Sequence, residues 1–386
     1  MTKDVISRSA GFCILISALS AGCDFRSKAT RIDPVRTYGD ARITLRQAAE
    51  DPDPQVRTKA LEALAASEGS AAGTIILQSL QDDHVPVRFA AAMAAGDIRY
   101  GPAKPILLKM IKDADDQPKL KCAMIYALHR LGDDSYTGQL GRMIRHKDKW
   151  VRATAAMVMG RMGEPSAKAP LKSLQRTDHD PVVQLQVVEA LAQLGDERSL
   201  VLLEAFTKSQ YMEDRIIAVQ SLGRLTNARS IFILRQLLKD KKQEPAVRLA
   251  ITGSLARRGE QVNIELPLKA VSDPEGVLRK FRDKDVRIRP MEVTNLRVIA
   301  ILALEYAPDP VVADTLAPYL HSPDGAVRVA AGKALLRLLQ AYKSLAEPAE
   351  QPEPIEKPTT TKPGVEENED SKLPVRPKLH SAGGKD

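Results

Sequence analysis

A Val-Arg pair that returns about every 32 residues constrains this chain more than any other feature. It stands at Val56-Arg57, Val87-Arg88, Val151-Arg152, Val247-Arg248 and Val327-Arg328. Degenerate copies fall between them at Leu120-Lys121, Val183-Gln184, Asp214-Arg215 and Leu296-Arg297. Four residues past each anchor stand Ala60, Ala91, Met124, Ala155, Val187, Ala218, Ile251, Ala300 and Ala331. Eight residues past it stand Leu64, Ala95, Leu128, Met159, Leu191, Leu222, Leu255, Leu304 and Leu335. Positions i, i+4 and i+8 share one face of an α-helix, so these slots predict a buried stripe.

The ends of the helix are written in as well. Asp53-Pro54, Asp180-Pro181 and Asp324-Gly325 precede the anchor. An Asp side chain there accepts from exposed backbone N–H groups, and proline in the first turn loses no helical bond. Gly132, Gly163, Gly195 and Gly259 lie twelve residues past the anchor, where a left-handed residue closes a helix. Apolar stretches such as Ile75 to Leu80 and Leu171 to Leu174 precede the turns and predict a first helix in each unit. About nine two-helix units over residues 38–342 therefore predict an all-α solenoid. Aromatic residues make up only 4% of the chain, poor material for a β-sandwich and ordinary for alanine- and leucine-rich helices.

The run Ala169-Pro-Leu-Lys-Ser-Leu-Gln-Arg-Thr-Asp-His-Asp-Pro-Val-Val-Gln-Leu-Gln-Val-Val-Glu-Ala-Leu-Ala-Gln-Leu-Gly195 resembles the HEAT repeat, with Pro105 and Pro170 at that repeat's first-helix proline. The period best resembles the HEAT-like repeat of phycobilisome lyases. That resemblance implies an armadillo-type superhelix, a concave partner-binding surface, and bilin handling or nucleic-acid binding as alternatives to a scaffold.

The N-terminus reads as an address. Lys3 and Arg8 precede an apolar run from Gly11 to Ala21, right for a signal-peptide core. The segment Leu19-Ser-Ala-Gly-Cys23 resembles a bacterial lipobox, with leucine one place earlier than that motif prefers. This implies a signal peptide over residues 1–22, lipidation at Cys23, a tether over 23–37 and a membrane anchor at the cell envelope, on its periplasmic or outer-surface side. Cleavage after Ser20, giving a secreted soluble protein, is the alternative. The last segment, 343–386, is rich in Pro, Glu and Lys and predicts a disordered tail.

The formal charge of +8 favours anionic surfaces without identifying a partner. Arg57, Arg88, Arg152, Arg215, Arg248, Arg297 and Arg328, with Lys121, form a column of one cation per unit. HEAT arrays imply a structural ladder for such a column, with turn aspartates Asp53, Asp83, Asp148, Asp180 and Asp324 as partners; a basic stripe on the concave face is the alternative. The one long step, of 49 residues, places an insertion at about 260–294. Its basic run holds Arg279, Lys280, Phe281, Arg282, Arg287 and Arg289, a candidate partner-binding loop or an extra packed segment.

No catalytic motif is present. His84, His146, His179 and His321 fall in turns too far apart to share a zinc ion, and Cys122 reads as a small buried residue. The expectation is a non-catalytic interaction scaffold without cofactor or metal, bound to a protein partner. Export argues against nucleic acid and against cytoplasmic bilin chemistry.

Overall fold

The computed structural model describes residues 31–283 and 285–343. Among them lie nine helix pairs and no strand. The first helices are α1 (Pro34–Ala48), α3 (Gly73–Ser79), α5 (Lys104–Met110), α7 (Leu140–Met143) and α9 (Lys168–Thr177). They continue with α11 (Glu197–Phe206), α13 (Ala228–Lys239), α15 (Glu265–Ser272) and α18 (Pro310–Leu316). The second helices are α2 (Pro54–Glu68), α4 (Val85–Asp97), α6 (Pro118–Arg130), α8 (Lys149–Met162) and α10 (Pro181–Gln193). They continue with α12 (Met212–Arg224), α14 (Pro245–Arg257), α17 (Pro290–Leu304) and α19 (Gly325–Leu338). A short α16 (Pro274–Arg279) interrupts the eighth pair.

Local chemistry explains the boundaries. The side chains of Asp33, Asp53, Asp148, Asp180, Asp309 and Asp324 accept from the first backbone N–H groups of their helices. Gly132, Gly163, Gly195 and Gly259 take φ of 77°, 79°, 79° and 77°, which side-chain-bearing residues resist. The nine side chains four places past the anchors are all fully buried, and those eight places past are buried throughout. Each unit's apolar seam is covered by its neighbours, the arrangement that stabilises a repeat array.

The second helices form one continuous layer, α2 against α4, α4 against α6, and so on to α17 against α19. Small residues bring them together. A methyl on Gly96 would lie 2.9 Å from the Ala127 Cα, and one on Gly160 2.6 Å from the Ala190 Cα. Gly223 meets Ser254 and Gly253 meets Ala303 in the same way. The layer is thinnest between α10 and α12, which are joined mainly through α11.

The layer also closes on itself. α19 packs against both α1 and α2. Gly332 seats against Leu45 and Gly325 against Val56. The backbone N–H groups of Arg31 and Ile32 donate to Asp314 Oδ1 at 3.0 and 3.2 Å. The solenoid is therefore a ring, with α2, α4, α6, α8, α10, α12, α14, α17 and α19 around its inside.

Two boundaries read from sequence are corrected. The tether expected over 23–37 ends early, because helix α1 begins at Pro34 and already buries Thr37 and Tyr38. The insertion expected at about 260–294 is shorter. Helix α15 is the ordinary first helix of its unit, packed on α17, so only α16 and the loop to Arg289 are extra. The expected signal peptide, Cys23 and nearly all of the tail lie outside the described residues.

Candidate functional site

The inner face is built by two slots of the second helices. Six residues past the anchors stand Glu62, Tyr126, Glu189, Gln220 and Lys333. Ten residues past stand Asp97, Arg130, Arg161, Gln193, Arg224, Arg257, Tyr306 and Arg337. Five of these are arginines near helix C-termini, where a cation meets the negative end of the macrodipole. Closure turns this column inward, onto a lumen.

Ion pairs span the lumen wall. Arg161 Nη2 donates to both Asp97 carboxylate oxygens, at 3.0 and 2.8 Å, bridging α8 to α4 past the intervening α6. Tyr126 of α6 donates to the same carboxylate at 2.5 Å. Burial, then this contact, pushes the Tyr126 phenol up to about 12. Arg224 Nη1 donates to Glu189 Oε1 at 2.8 Å, and Lys333 Nζ lies 3.1 Å from Glu305 Oε2. Glu62 of α2 lines the same cavity, about 340 Å³, as Gln220 and Arg224 of α12, across the ring. The protein crowded around Glu62 raises its carboxyl above the usual range, although Arg161 and Lys333 oppose the rise.

The predicted ladder residues sit at the opposite end of the second helices, half-buried, and Arg57, Arg88, Arg152, Arg215 and Arg328 are tied to their own turns. Arg57, Arg88, Arg152 and Arg328 each donate through Nη1 to two carbonyls five and six residues back. Their remaining donors reach the next unit. Arg57 donates to Asp82 at 2.9 Å, Arg88 to Gln117 at 3.0 Å, Arg152 to Asp178 at 2.5 Å and Arg215 to Glu244 at 2.5 Å. Arg328 donates to Asp51 at 2.8 Å, so the ninth unit treats the first as its successor. Arg297 instead donates to the Val271 carbonyl at 3.0 Å, and the Nε of Arg248 is buried without a hydrogen-bond partner.

The expected partners were therefore displaced. Asp53, Asp148, Asp180 and Asp324 cap helices, and Asp83 contributes its backbone carbonyl to Arg88. The ladder acids Asp51, Asp82 and Asp178 lie five residues before the next anchor. Sequence separation alone does not distinguish these two sets of aspartates.

In the insertion, Phe281 and Val286 are exposed, as are Arg279, Lys280, Arg287 and Arg289. Arg282 forks onto Glu292 at 3.2 and 2.8 Å. Those bonds and the Arg289 backbone N–H lower the Glu292 carboxyl to about 2. Arg279 pairs with Glu275 at 3.2 Å, and the loop's inner side is pinned by buried Ile288.

His146 and His179 line one cavity of about 420 Å³ with Arg152 and Asp178, closer company than their sequence positions suggest. His84 lies 3.2 Å from Arg57 Nη2, and His321 lines a cavity at the closing seam. His129, unremarked in the sequence, lies 2.5 Å from Asp134 and 3.6 Å from Glu164. No group of metal-holding geometry occurs among the described residues. Cys122 is buried 3.1 Å from the Met143 sulfur, and desolvation pushes its thiol up to about 12, leaving it a poor nucleophile.

Paired helices, a buried stripe and a turn ladder define an α-solenoid of two-helix repeats. A profile described as HEAT repeats matches residues 29–96, 44–118, 105–192 and 140–211. HEAT repeats are thus found over residues 29–211 of this chain, and the later helix pairs carry the same anchors and packing. The chain is 22% identical over 193 residues to an uncharacterized phycocyanin operon protein Z of Pseudanabaena tenuis, covering 47% of this chain and 94% of that protein. A structure of human deoxyhypusine hydroxylase in complex with glycerol overlays 80% of this chain and 100% of its own at 17% identity. The TM-score of that overlay is 0.33.

Proposed function

We propose that the protein is a non-catalytic protein-interaction scaffold, held at the bacterial cell envelope by a lipid on Cys23. The observation that carries the scaffold reading is the array of HEAT repeats, an architecture suited to gripping protein partners. Its closure moves the expected docking surface. An open superhelix offers a long concave face, whereas here the inner face lines a lumen, so the partner is assigned to the outside of the ring. The exposed Phe281 among Arg279, Arg287 and Arg289 supplies an apolar anchor with a cationic rim, the usual anatomy of a contact patch. Crosslinked pull-down from membranes tests this. Phe281→Ser combined with Arg287→Glu is expected to lose the partner, and unchanged capture would remove the loop from the reading. The anchor is tested by mass spectrometry of the mature N-terminus: a diacylated Cys23 is expected, and an unmodified Ala21 at the N-terminus would overturn it.

One second reading has a specific observation behind it, the relative named for a phycocyanin operon. Under it the chain handles a bilin. Titrating bilin into purified protein and recording absorbance decides: a persistent spectral shift favours this reading, and an unchanged spectrum favours the scaffold.

A further inference from the structure

One part of the lumen holds more positive charge than its own carboxylates neutralise. A cavity of about 380 Å³ is lined by Arg257 of α14, Glu305 and Tyr306 just past α17, and Lys333 and Arg337 of α19. Arg257, Glu305, Tyr306 and Lys333 also line the neighbouring cavity that holds Glu62 and Arg224. With Arg224 already paired to Glu189, Arg257, Lys333 and Arg337 face Glu62 and Glu305 across the two cavities, an excess of one positive charge.

The arrangement around Tyr306 is specific. The Arg257 guanidinium lies 5.6 Å from its ring centroid and that of Arg337 4.9 Å, from the units on either side. Elsewhere on the wall Arg161 meets Asp97 while also lying 5.4 Å from the Tyr126 ring centroid, Arg224 meets Glu189, and Arg130 donates to the Gly96 carbonyl. Here Glu305 is buried and engaged by Lys333, and the two arginines have an aromatic ring in common instead. Helix-end electrostatics account for an arginine in each last turn. They do not account for two guanidiniums drawn together on one side chain in a cavity, where like charges repel.

We propose that this lumenal cavity binds a phosphate group, either the free ion or one carried on a small ester. A phosphate monoester carries close to two negative charges at neutral pH and presents three acceptor oxygens. The guanidinium forks of Arg257 and Arg337 match such oxygens in geometry, and Lys333 adds a point charge. Burial, then the charge of Glu305 and a hydrogen bond to it, raise the Tyr306 phenol, so its hydroxyl keeps its proton and would have to exchange Glu305 for the phosphate to donate to it. The site is independent of the scaffold reading, since it lies on the inner face.

Calorimetric titration of the full chain with inorganic phosphate, and separately with glycerol phosphate, tests the proposal. Saturable binding of one equivalent is expected. Arg257→Gln and Arg337→Gln should each weaken it at least tenfold, Tyr306→Phe should weaken it less, and Arg287→Gln in the outer loop should leave it unchanged. Tighter binding of the ester assigns a monoester, and equal or tighter binding of inorganic phosphate assigns the free ion. Circular dichroism of each variant separates lost binding from lost fold, and Arg257→Lys with Arg337→Lys should retain part of the affinity. Absence of saturable binding for both probes, or binding within twofold of wild type in the folded Arg257→Gln/Arg337→Gln double variant, would overturn the proposal.

Discussion

Ring closure can be measured through one hydrogen bond. Arg328 Nη2 donates to Asp51 Oδ2 at 2.8 Å across 277 residues of sequence. Both side chains are largely shielded, at 26% and 16% exposure. A hydrogen bond to a charged group contributes about 1.5–3 kcal/mol, and partial exposure reduces that to about 1–2 kcal/mol here. The perturbation is a double-mutant cycle of Arg328→Ala and Asp51→Ala, read by urea unfolding. Asp51 also accepts from the Asp53 backbone at 2.9 Å, a local cost present in both arms of the cycle that therefore cancels. Arg57 with Asp82, joined by two bonds of 2.9 Å between consecutive units, serves as the reference. A coupling near zero for Arg328 with Asp51, beside about 2 kcal/mol for the reference pair, would show that the first and ninth units do not meet.

Three further outcomes follow from packing and charge. Leu191→Asp places a charge at a fully buried position and should cost several kcal/mol in chemical denaturation, whereas Arg287→Ala in the exposed loop should leave stability nearly unchanged. Gly160→Ala would drive a methyl to 2.6 Å from the Ala190 backbone, so a loss of about 1–3 kcal/mol is expected as a lower melting temperature. Glu62 has a raised carboxyl in the folded chain, so its contribution is present at low pH and lost as pH rises through the folded value. Glu62→Gln should therefore stabilise the protein at neutral pH, with the gain fading in acid; a gain that grows in acid would contradict the assignment.

The helical units were legible because their signals are local. Ala60 and Leu64, or Val187 and Leu191, lie within two turns of their anchor, and a 3.6-residue period suffices to place them on one face. Gly163 and Gly195 announce helix ends by the conformation they must adopt. The ladder was half legible: the arginines recur visibly, but their acids sit in the next unit, where Asp51 and Asp178 lie two residues from Asp53 and Asp180, decoys that cap helices. Closure was not legible. It depends on small rotations summed over nine units, and no residue near Leu45 signals that Gly332 will meet it. For the same reason the second cationic column, from Arg130 to Arg337, passed unnoticed; only a closed ring turns those helix ends toward one another.

Closure also limits how such a molecule can change. In an open stack a repeat can be lost or duplicated, and only the ends shift. Here the tally of repeats is part of the design: one fewer, and Arg328 no longer reaches an acid at the position of Asp51. Because every unit has two neighbours, no turn is structurally privileged as the start of the chain. Variants that join the present ends and open another inter-unit turn should fold to the same ring, as beads on a clasped bracelet keep their order wherever the clasp is placed.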